Sequence, residues 1–185
     1  MCLITFAYKT HPDFNLVLVA NRDEAYGRPT QDAAPWPQDA GLIAGQDLEQ
    51  GGTWMGLHRN GRFSAVTNHR NGRAGATPAL RSRGHMTRDF LLSQQAASST
   101  AAYYAAQGAQ YGGFNLLLGD NEGLYYLSNR GRAPERLAPG LYGLSNALLD
   151  SPWPKLLQAR DALEAALGSI GADSDMPQLA AQLTE

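Results

Sequence analysis

The first twenty-four residues have the apolar and polar pattern of a β-hairpin that ends in a polar segment. Strand-forming residues fill Cys2–Tyr8, and a nearly continuous apolar run covers Leu16–Ala20. Between them, His11–Phe14 contains the proline and aspartate typical of a turn. Because the second run lacks alternating polar positions, it predicts a strand buried on both faces of its sheet. Asn21-Arg22-Asp23-Glu24 follows at once, and polar groups at the end of a buried strand must be paired or functional.

The rest of the chain predicts further strands and three helical segments. Strands are expected at Leu42–Ala44, after the turn at Gly51–Gly56, and at Phe63–Thr67, Phe114–Leu118, Leu124–Leu127 and Leu141–Ser145. Helices are expected at Ser82–Gln110, with Thr87 as candidate N-cap, at Pro152–Leu167, and near Pro177. Arg28–Thr30 and Pro35–Pro37 are expected to be loops. Strands followed by a helix, more strands and more helices indicate an α+β fold.

Composition limits the classes of protein that fit this pattern. The 185 residues are 43% hydrophobic and 17% charged, which fits one domain over residues 1–185 and excludes wholesale disorder. The net charge of -2 argues against non-specific nucleic-acid binding. No apolar run approaches the roughly 20 residues of a membrane span, and the sequence contains no recognisable secretory signal. It has a single cysteine, which cannot form an internal disulfide. A cytoplasmic protein is therefore expected. Arginine far outnumbers lysine, as in proteins from GC-rich bacteria.

Cys2 is the first candidate for chemistry. A small second residue permits removal of the initiator methionine, which leaves a thiol and an α-amine on one residue. The amine has a pKa of about 8, so it can act as the base that activates its own thiol. The structural alternative is a small buried hydrophobe in the first strand, and the spacing alone favours that alternative.

Polar residues at strand ends are the second group of candidates. In the hairpin, the segment 21–24 returns beside Cys2, where Asp or Asn can hold the amine and Arg22 can orient a carboxylate or a substrate. The alternative is an ion-pair cluster at the surface. Asn68 and Asn146 each follow a predicted strand, and a side-chain amide there can donate to a developing oxyanion. Asparagine at such positions is more commonly a turn residue.

Other features carry less information about function. The four histidines lack the spacing of a metal site, so no metal is expected, and His69 is a candidate catalytic base. The sequence contains no glycine-rich nucleotide-binding motif. Seven arginines lie within Arg59–Arg88, a loop-rich stretch that is either a solvated face or a receptor for an anionic group such as a propionate, phosphate or carboxylate.

Several motifs in order resemble one known family. Met1-Cys2, His11-Pro12, Asn21–Glu24 and Arg28–Thr30 look like the opening of the NRDE family, also called the transport and Golgi organisation protein 2 family. The likeness continues through Gly45–Leu48, Gly51–Gly56, Ala65–Asn68, Ser82–Gly84, Gly113–Asp120 and Tyr142–Asn146. It covers roughly the first 155 residues. Because that family is similar to N-terminal-nucleophile hydrolases, the resemblance implies a four-layer αββα sandwich.

The resemblance also implies roles for the candidate residues. By analogy with penicillin V acylases and bile-salt hydrolases, Cys2 is the nucleophile, Asn68 is an oxyanion-hole asparagine and Asn146 is the later active-site asparagine. The segment 21–24 falls where that group keeps an arginine and an aspartate beside the nucleophile, and the register leaves open which charged residue takes which role. The implied reaction is hydrolysis of a small-molecule amide without a cofactor.

Two other functions stay open at this point. The alternative implied by the resemblance is a ligand carrier for haem, with Cys2, His58 or His69 as candidate iron ligands. A structural or interaction domain ranks last. Two features bear on the hydrolase interpretation. With Met1 attached, Cys2 has no free amine and the mechanism is blocked. Family members continue past the equivalent of Glu185 with a segment resembling Tyr-Gly-Thr-Arg-Ser-Ser, so we expect the sandwich to lack its C-terminal strands and one active-site arginine.

Overall fold

The computed structural model describes residues 2–69, 81–131 and 133–171, and the helix predicted near Pro177 lies outside them. The strands are β1 (Leu3–Tyr8), β2 (Leu16–Asn21), β3 (Thr30–Trp36), β4 (Asp39–Asp47), β5 (Met55–His58), β6 (Phe63–Asn68), β7 (Phe114–Gly119), β8 (Leu124–Ser128), β9 (Glu135–Arg136) and β10 (Gly140–Leu144). The helices are α1 (Arg83–Leu92), α2 (Ala97–Ala106) and α3 (Pro154–Leu167), with a 3₁₀ turn at Gly108–Gln110. None of the described helices is both long and apolar enough to span a membrane.

The chain divides into two compact units, of which the first is formed by Met1–Asp23 and Ala138–Glu185. Its antiparallel sheet has the order β10-β1-β2, and α3 packs against β1 and β10. Leu163 of α3 meets Ala7 and Val17 in a small apolar core. The hairpin predicted from the first apolar runs is therefore confirmed, while the organisation of the whole chain as one domain stays a prediction.

The prediction that the second strand is the fully buried one is wrong. In β1 the residues Ile4–Tyr8 are all buried, whereas in β2 only Val17 is buried. β1 has a hydrogen-bonded strand on each side, while β2 pairs with β1 alone among the described strands. Apolar content does not distinguish a central strand from an outer one, because the neighbours that decide it come from elsewhere in the chain.

The second unit, Glu24–Leu137, is built on a seven-stranded antiparallel sheet in the order β3-β4-β5-β6-β7-β8-β9. Both α1 and α2 pack against this sheet. Their shared core contains Val66, Met86, Phe90, Ala101, Leu116 and Leu118. Side chains alternate between faces along a strand, so Leu116 and Leu118 of β7 face the same helices. The hairpin predicted around the turn at residues 119–123 is confirmed as β7 and β8.

Two stretches predicted as loops contribute to β3, which is a correction. The strand includes Pro35 and Trp36, and it lies at the end of the sheet, where a proline costs no ladder hydrogen bond. Its register with β4 shifts twice, once between Gln31 and Ala34 and once between Pro35 and Trp36. The indole N–H of Trp36 donates to the carbonyl of Ala44 at 3.0 Å, which ties this irregular strand to β4.

The single helix predicted over Ser82–Gln110 is also wrong, because the segment forms two helices separated by residues 93–96. Thr87, predicted as an N-cap, is buried inside α1, and Ser82 holds the cap position. Helical propensity continues through the break, so the interruption has a tertiary cause.

Charged side chains from the turns next to β6 and β7 stabilise the two helix ends at this break. The buried guanidinium of Arg62 donates to the carbonyls of Phe90 and Gln95 and stacks 4.0 Å from the Phe90 ring centroid. The carboxylate of Asp120 accepts the backbone N–H of Ala97 at 2.7 Å, in the first turn of α2. A cation at a helix C-terminus and an anion at a helix N-terminus both match the helix dipole.

Two glycines bring the turn before β5 into contact with the start of α1. The N–H of Thr53 donates to the carbonyl of Gly84 at 3.2 Å. A Cβ added to Gly52 would lie 2.6 Å from the carbonyl carbon of Gly84. The space between these backbones therefore admits no side chain at residue 52.

We expect Gly52→Ala to lower the free energy of unfolding by about 2 kcal/mol, because the new Cβ must displace backbone atoms. Urea unfolding of the purified chain measures the change. Gly27→Ala is the matched control, since a Cβ there meets nothing within 4 Å. Equal stability of the two variants would contradict the close contact.

We expect Arg62→Leu to cost about 2 kcal/mol of unfolding free energy, because it leaves carbonyls at the helix break without their charged donor. Arg62→Lys is expected to recover only part of this loss, since an ammonium cannot reproduce the guanidinium fork. Arg59→Leu changes an exposed arginine nearby and serves as the control. If Arg62→Leu and Arg59→Leu unfold at the same urea concentration, the role assigned to Arg62 is wrong.

Candidate functional site

Cys2 lies immediately before the central strand of the first unit. The pairing of β1 with β2 reaches Leu3 opposite Asn21, and the pairing with β10 reaches Ile4 opposite Leu144. Continuing both registers beyond these pairs leads from Cys2 to Arg22 on one side and to Asn146 on the other. The sheet thus brings three segments that are distant in sequence to one end of β1.

Two hydrogen bonds define the surroundings of Cys2. The hydroxyl of Ser145 donates to the Cys2 carbonyl at 2.7 Å, and the Cys2 Sγ lies 3.9 Å from the carbonyl oxygen of Asp23. Cys2 itself is half-buried, whereas Ser145 and Asn146 are each only 2% exposed. Cys2 is therefore partly accessible, and its backbone carbonyl is held by a buried hydroxyl.

The polar segment that follows β2 is less buried than its sequence context predicts. Asn21, Asp23 and Glu24 are exposed, and Arg22 is half-buried. The inference that these residues end a buried strand is therefore wrong, and burial gives no reason for them to be functional. The buried polar residues at this end of the sheet are Ser145 and Asn146.

Glu24 and Asn68, the remaining candidates from the resemblance, belong to the second unit. The Glu24 carboxylate accepts the N–H of Ala25 at 3.0 Å. Asn68 is the last residue of β6, pairs with Phe114 of β7 and is half-buried. Its position at a strand end agrees with the sequence prediction, and its catalytic role stays a prediction.

His58 is fully engaged by its neighbours. Its Nε2 donates to the Asp39 carboxylate at 3.1 Å, and its Nδ1 accepts the N–H of Asn60 at 3.2 Å. Hydrogen bonds from the Gly41 backbone and from His58 hold the pKa of Asp39 below its usual value. An iron ligand at His58 would have to break one of these bonds.

His69 has a different environment. Its backbone N–H donates to the Gly113 carbonyl at 2.9 Å, while its buried Nδ1 has no hydrogen-bond partner among the described residues. Burial, with a smaller contribution from the charge of Arg130, lowers the pKa of His69. The ring is therefore neutral at pH 7. In the described ranges, no three His, Cys, Asp or Glu side chains are grouped so that they could hold a metal ion.

Sequence reasoning missed Ser145, whose hydroxyl secures the start of β1. The residue was visible only as the end of a predicted strand before Asn146. Its partner lies 143 positions away, so no local pattern connects the two.

Comparison with known proteins adds a family match and a fold match. The family model described as Transport and Golgi organisation 2 matches residues 1–185. A Bos taurus protein named "Transport and Golgi organization protein 2 homolog" is 40% identical over 169 residues, covering 84% of this chain and 60% of the relative. The Homo sapiens protein of the same name is 37% identical over 173 residues with the same coverage. The Drosophila melanogaster "Transport and Golgi organization protein 2" is 28% identical over 203 residues, covering 100% of this chain and 71% of the relative.

The chain thus spans about 60% of the length of its mammalian relatives. Among solved structures, a "Caenorhabditis elegans N-acylethanolamine-hydrolyzing acid amidase (NAAA) ortholog" superposes with a TM-score of 0.54 at 12% identity, covering 100% of this chain and 86% of the other. This likeness shows the N-terminal-nucleophile hydrolase fold, so the predicted α+β fold class is confirmed. The cytoplasmic location and bacterial origin stay predictions, and the relatives named above come from animals.

We expect Ser145→Ala to loosen the start of β1, because it removes the donor to the Cys2 carbonyl. The loss of one hydrogen bond, about 1 kcal/mol, corresponds to roughly fivefold faster local opening. Deuterium uptake of the N-terminal peptide, followed by mass spectrometry, measures this rate. Ser151→Ala is the matched control in the same unit, since its hydroxyl donates only locally, to Leu148 at 2.7 Å. Unchanged uptake in Ser145→Ala would show that the bond does not hold the strand.

Proposed function

This chain belongs to the Transport and Golgi organisation 2 family and has the N-terminal-nucleophile hydrolase fold, and on that premise we propose that it hydrolyses a small-molecule amide with Cys2 as nucleophile. The observation that carries the proposal is the position of the single cysteine at the start of the central strand β1. Around it, the backbone of Asp23 and the hydroxyl of Ser145 hold the residue in place.

The proposed reaction begins once Met1 is removed. The free α-amine of Cys2, with a pKa of about 8, takes the proton of the thiol. The thiolate attacks the carbonyl carbon of the amide, and a tetrahedral oxyanion forms. The C–N bond then breaks, and the leaving amine takes a proton from the α-ammonium of Cys2. The product of this half-reaction is a thioester on Cys2 and a free amine.

Water completes the cycle. The α-amine of Cys2 accepts a proton from a water molecule, whose oxygen attacks the thioester. The C–S bond breaks, the sulfur regains its proton, and a carboxylic acid leaves. No metal or redox cofactor enters either half-reaction, since the amine serves as both base and acid.

The buried side chain of Asn146 is the proposed donor to the oxyanion. A side-chain amide preorganised away from water stabilises developing negative charge strongly. Asn68 is assigned the same kind of role from the family resemblance. Arg22 and Asp23 are proposed to orient the α-amine or the substrate, since the register of β1 and β2 brings their segment beside Cys2.

Haem transport is the competing proposal, also taken from the family resemblance. Because both ring nitrogens of His58 are hydrogen-bonded, His69 and Cys2 are the better candidates for an iron ligand. A carrier of this kind predicts saturable binding of haemin whose Soret band changes when either residue is replaced. An amidase does not require such binding, so the two functions separate by experiment.

The first test is intact mass before and after brief iodoacetamide treatment of the folded protein. We expect the mass without methionine. Labelling of Cys2, the only cysteine, should be faster in the folded chain than in denaturant, because the fold fixes the α-amine and the surrounding polar groups in positions that favour the thiolate. Retained methionine or an inert thiol would contradict the mechanism and make haemin titration the next experiment.

The second test is hydrolysis of a panel of N-acyl amides that includes an N-acylethanolamine, the compound class after which the solved structural neighbour is named. We expect Cys2→Ala to abolish turnover and Asn146→Ala to lower kcat by roughly 100-fold. Ser151→Ala, a surface change in the same unit, should keep full activity. Turnover by Cys2→Ala equal to that of the parent chain would contradict the assignment of Cys2 as the nucleophile.

A further inference from the structure

Two arginine side chains and the backbone of His69 meet around Gly113 in the second unit. Arg83 donates from Nη1 to the Gly113 carbonyl at 3.0 Å, and the backbone of His69 donates to the same oxygen at 2.9 Å. The Nε of Arg130 lies 3.5 Å from the position that a Cβ on Gly113 would occupy. We call His69, Arg83, Gly113, Asn129 and Arg130 the Gly113 corner.

The backbone of the Gly113 corner is held rigidly by Asn129. The Oδ1 of this side chain accepts the N–H of Phe114 at 2.9 Å. Its Nδ2 donates to the carbonyls of Gly108 and Gly112 at 2.9 and 3.2 Å. Asn129 directly precedes Arg130, so the residue that fixes the loop also fixes where Arg130 begins. Rigid placement of charged donors is what a binding site needs, because ordering them on binding costs free energy.

Gly113 itself leaves no room for a larger residue. A Cβ there would lie 2.6 Å from the His69 carbonyl oxygen, so the backbone just after β6 and the backbone just before β7 approach each other closely at this point. The close approach brings the arginine side chains toward one small region instead of separating them with an intervening side chain.

Arg130 has no counter-charge among the described residues. Its guanidinium makes no hydrogen bond or ion pair in the part of the chain that the structure describes. Residues 70–80, which follow His69 in sequence, contain no aspartate or glutamate. A guanidinium that lacks an acidic partner and lies near other positive charge is stabilised when an anion binds beside it.

The pKa of His69 indicates that the electrostatic potential at the Gly113 corner is positive. This pKa is lowered first by burial and then by the positive charge of Arg130, so the imidazole stays neutral and adds no further repulsion. Its buried Nδ1 lacks a partner among the described residues, whereas buried polar atoms in native proteins are nearly always satisfied.

We propose that the Gly113 corner is a binding site for a small anionic group of a ligand, a carboxylate or a phosphate, held by Arg83 and Arg130. Guanidinium groups bind both anions through paired charge-assisted hydrogen bonds. The site adjoins Asn68 at the end of β6, and it stands independently of whether Cys2 is a nucleophile. It also assigns a purpose to two arginines that the proposed amide hydrolysis does not use.

The test is calorimetric titration of the full chain with inorganic phosphate and, separately, with sodium propionate, each at constant ionic strength set by chloride. We expect saturable binding of at least one anion. In ¹H–¹⁵N spectra, the amides of Gly112, Gly113 and Arg130 are expected to shift with the same midpoint. Binding of phosphate alone assigns a phosphate group, and binding of propionate alone assigns a carboxylate.

Arg130→Gln is the decisive variant, since its side chain supports no other described group and the fold should persist. It is expected to weaken anion binding by at least about tenfold, the loss typical of one charged hydrogen-bond partner. Arg59→Gln removes the same charge from an exposed turn of the same unit and should bind like the parent. Cys2→Ala should also bind like the parent, which separates this site from the proposed catalysis. No saturable binding of either anion, or equal effects of Arg130→Gln and Arg59→Gln, would overturn the proposal.

Discussion

Hydrogen bonding of β1 on both sides is the constraint on which the candidate active site depends. β2 reaches β1 through a short turn, but β10 comes from the far end of the described chain. Only when both strands pair with β1 do the segments after β2 and β10 arrive beside Cys2. The hydroxyl of Ser145 then closes the end of the sheet by donating to the Cys2 carbonyl. The proposed role of Cys2 as nucleophile requires such support, because residues near a chain end are otherwise poorly ordered.

The second unit depends on polar side chains that satisfy backbone or side-chain partners inside an apolar sheet. Arg62 and Asp120 serve the helix ends, and Asn129 serves the loop before β7. Within the sheet, Asn115 donates to Thr67 at 3.1 Å and accepts the hydroxyl of Tyr126 at 2.9 Å. Buried polar groups of this kind cost free energy unless they are paired, so they select one arrangement of strands over its alternatives.

Local pattern predicted the elements whose partners are close in sequence. The hairpins β1–β2 and β7–β8 follow from apolar runs separated by turn residues, and α3 follows from an amphipathic stretch that starts at a proline. The errors occurred where a distant residue decides the outcome. β3 tolerates Pro35 because it lies at the end of the sheet, and α1 ends where Arg62 binds the carbonyl of Phe90. Neither partner is visible in the local sequence.

The sequence by itself determined the chemical groups and the family: one cysteine at position 2, asparagines after strands, and motifs that match a known family in order. Tertiary structure decided which of these groups are available. It paired both nitrogens of His58, exposed Asn21 and Asp23, buried Asn146, and left Arg130 without a counter-charge among the described residues. The physical reason is that burial and pairing arise from contacts between residues far apart in the chain, and such contacts leave no periodic trace in the sequence.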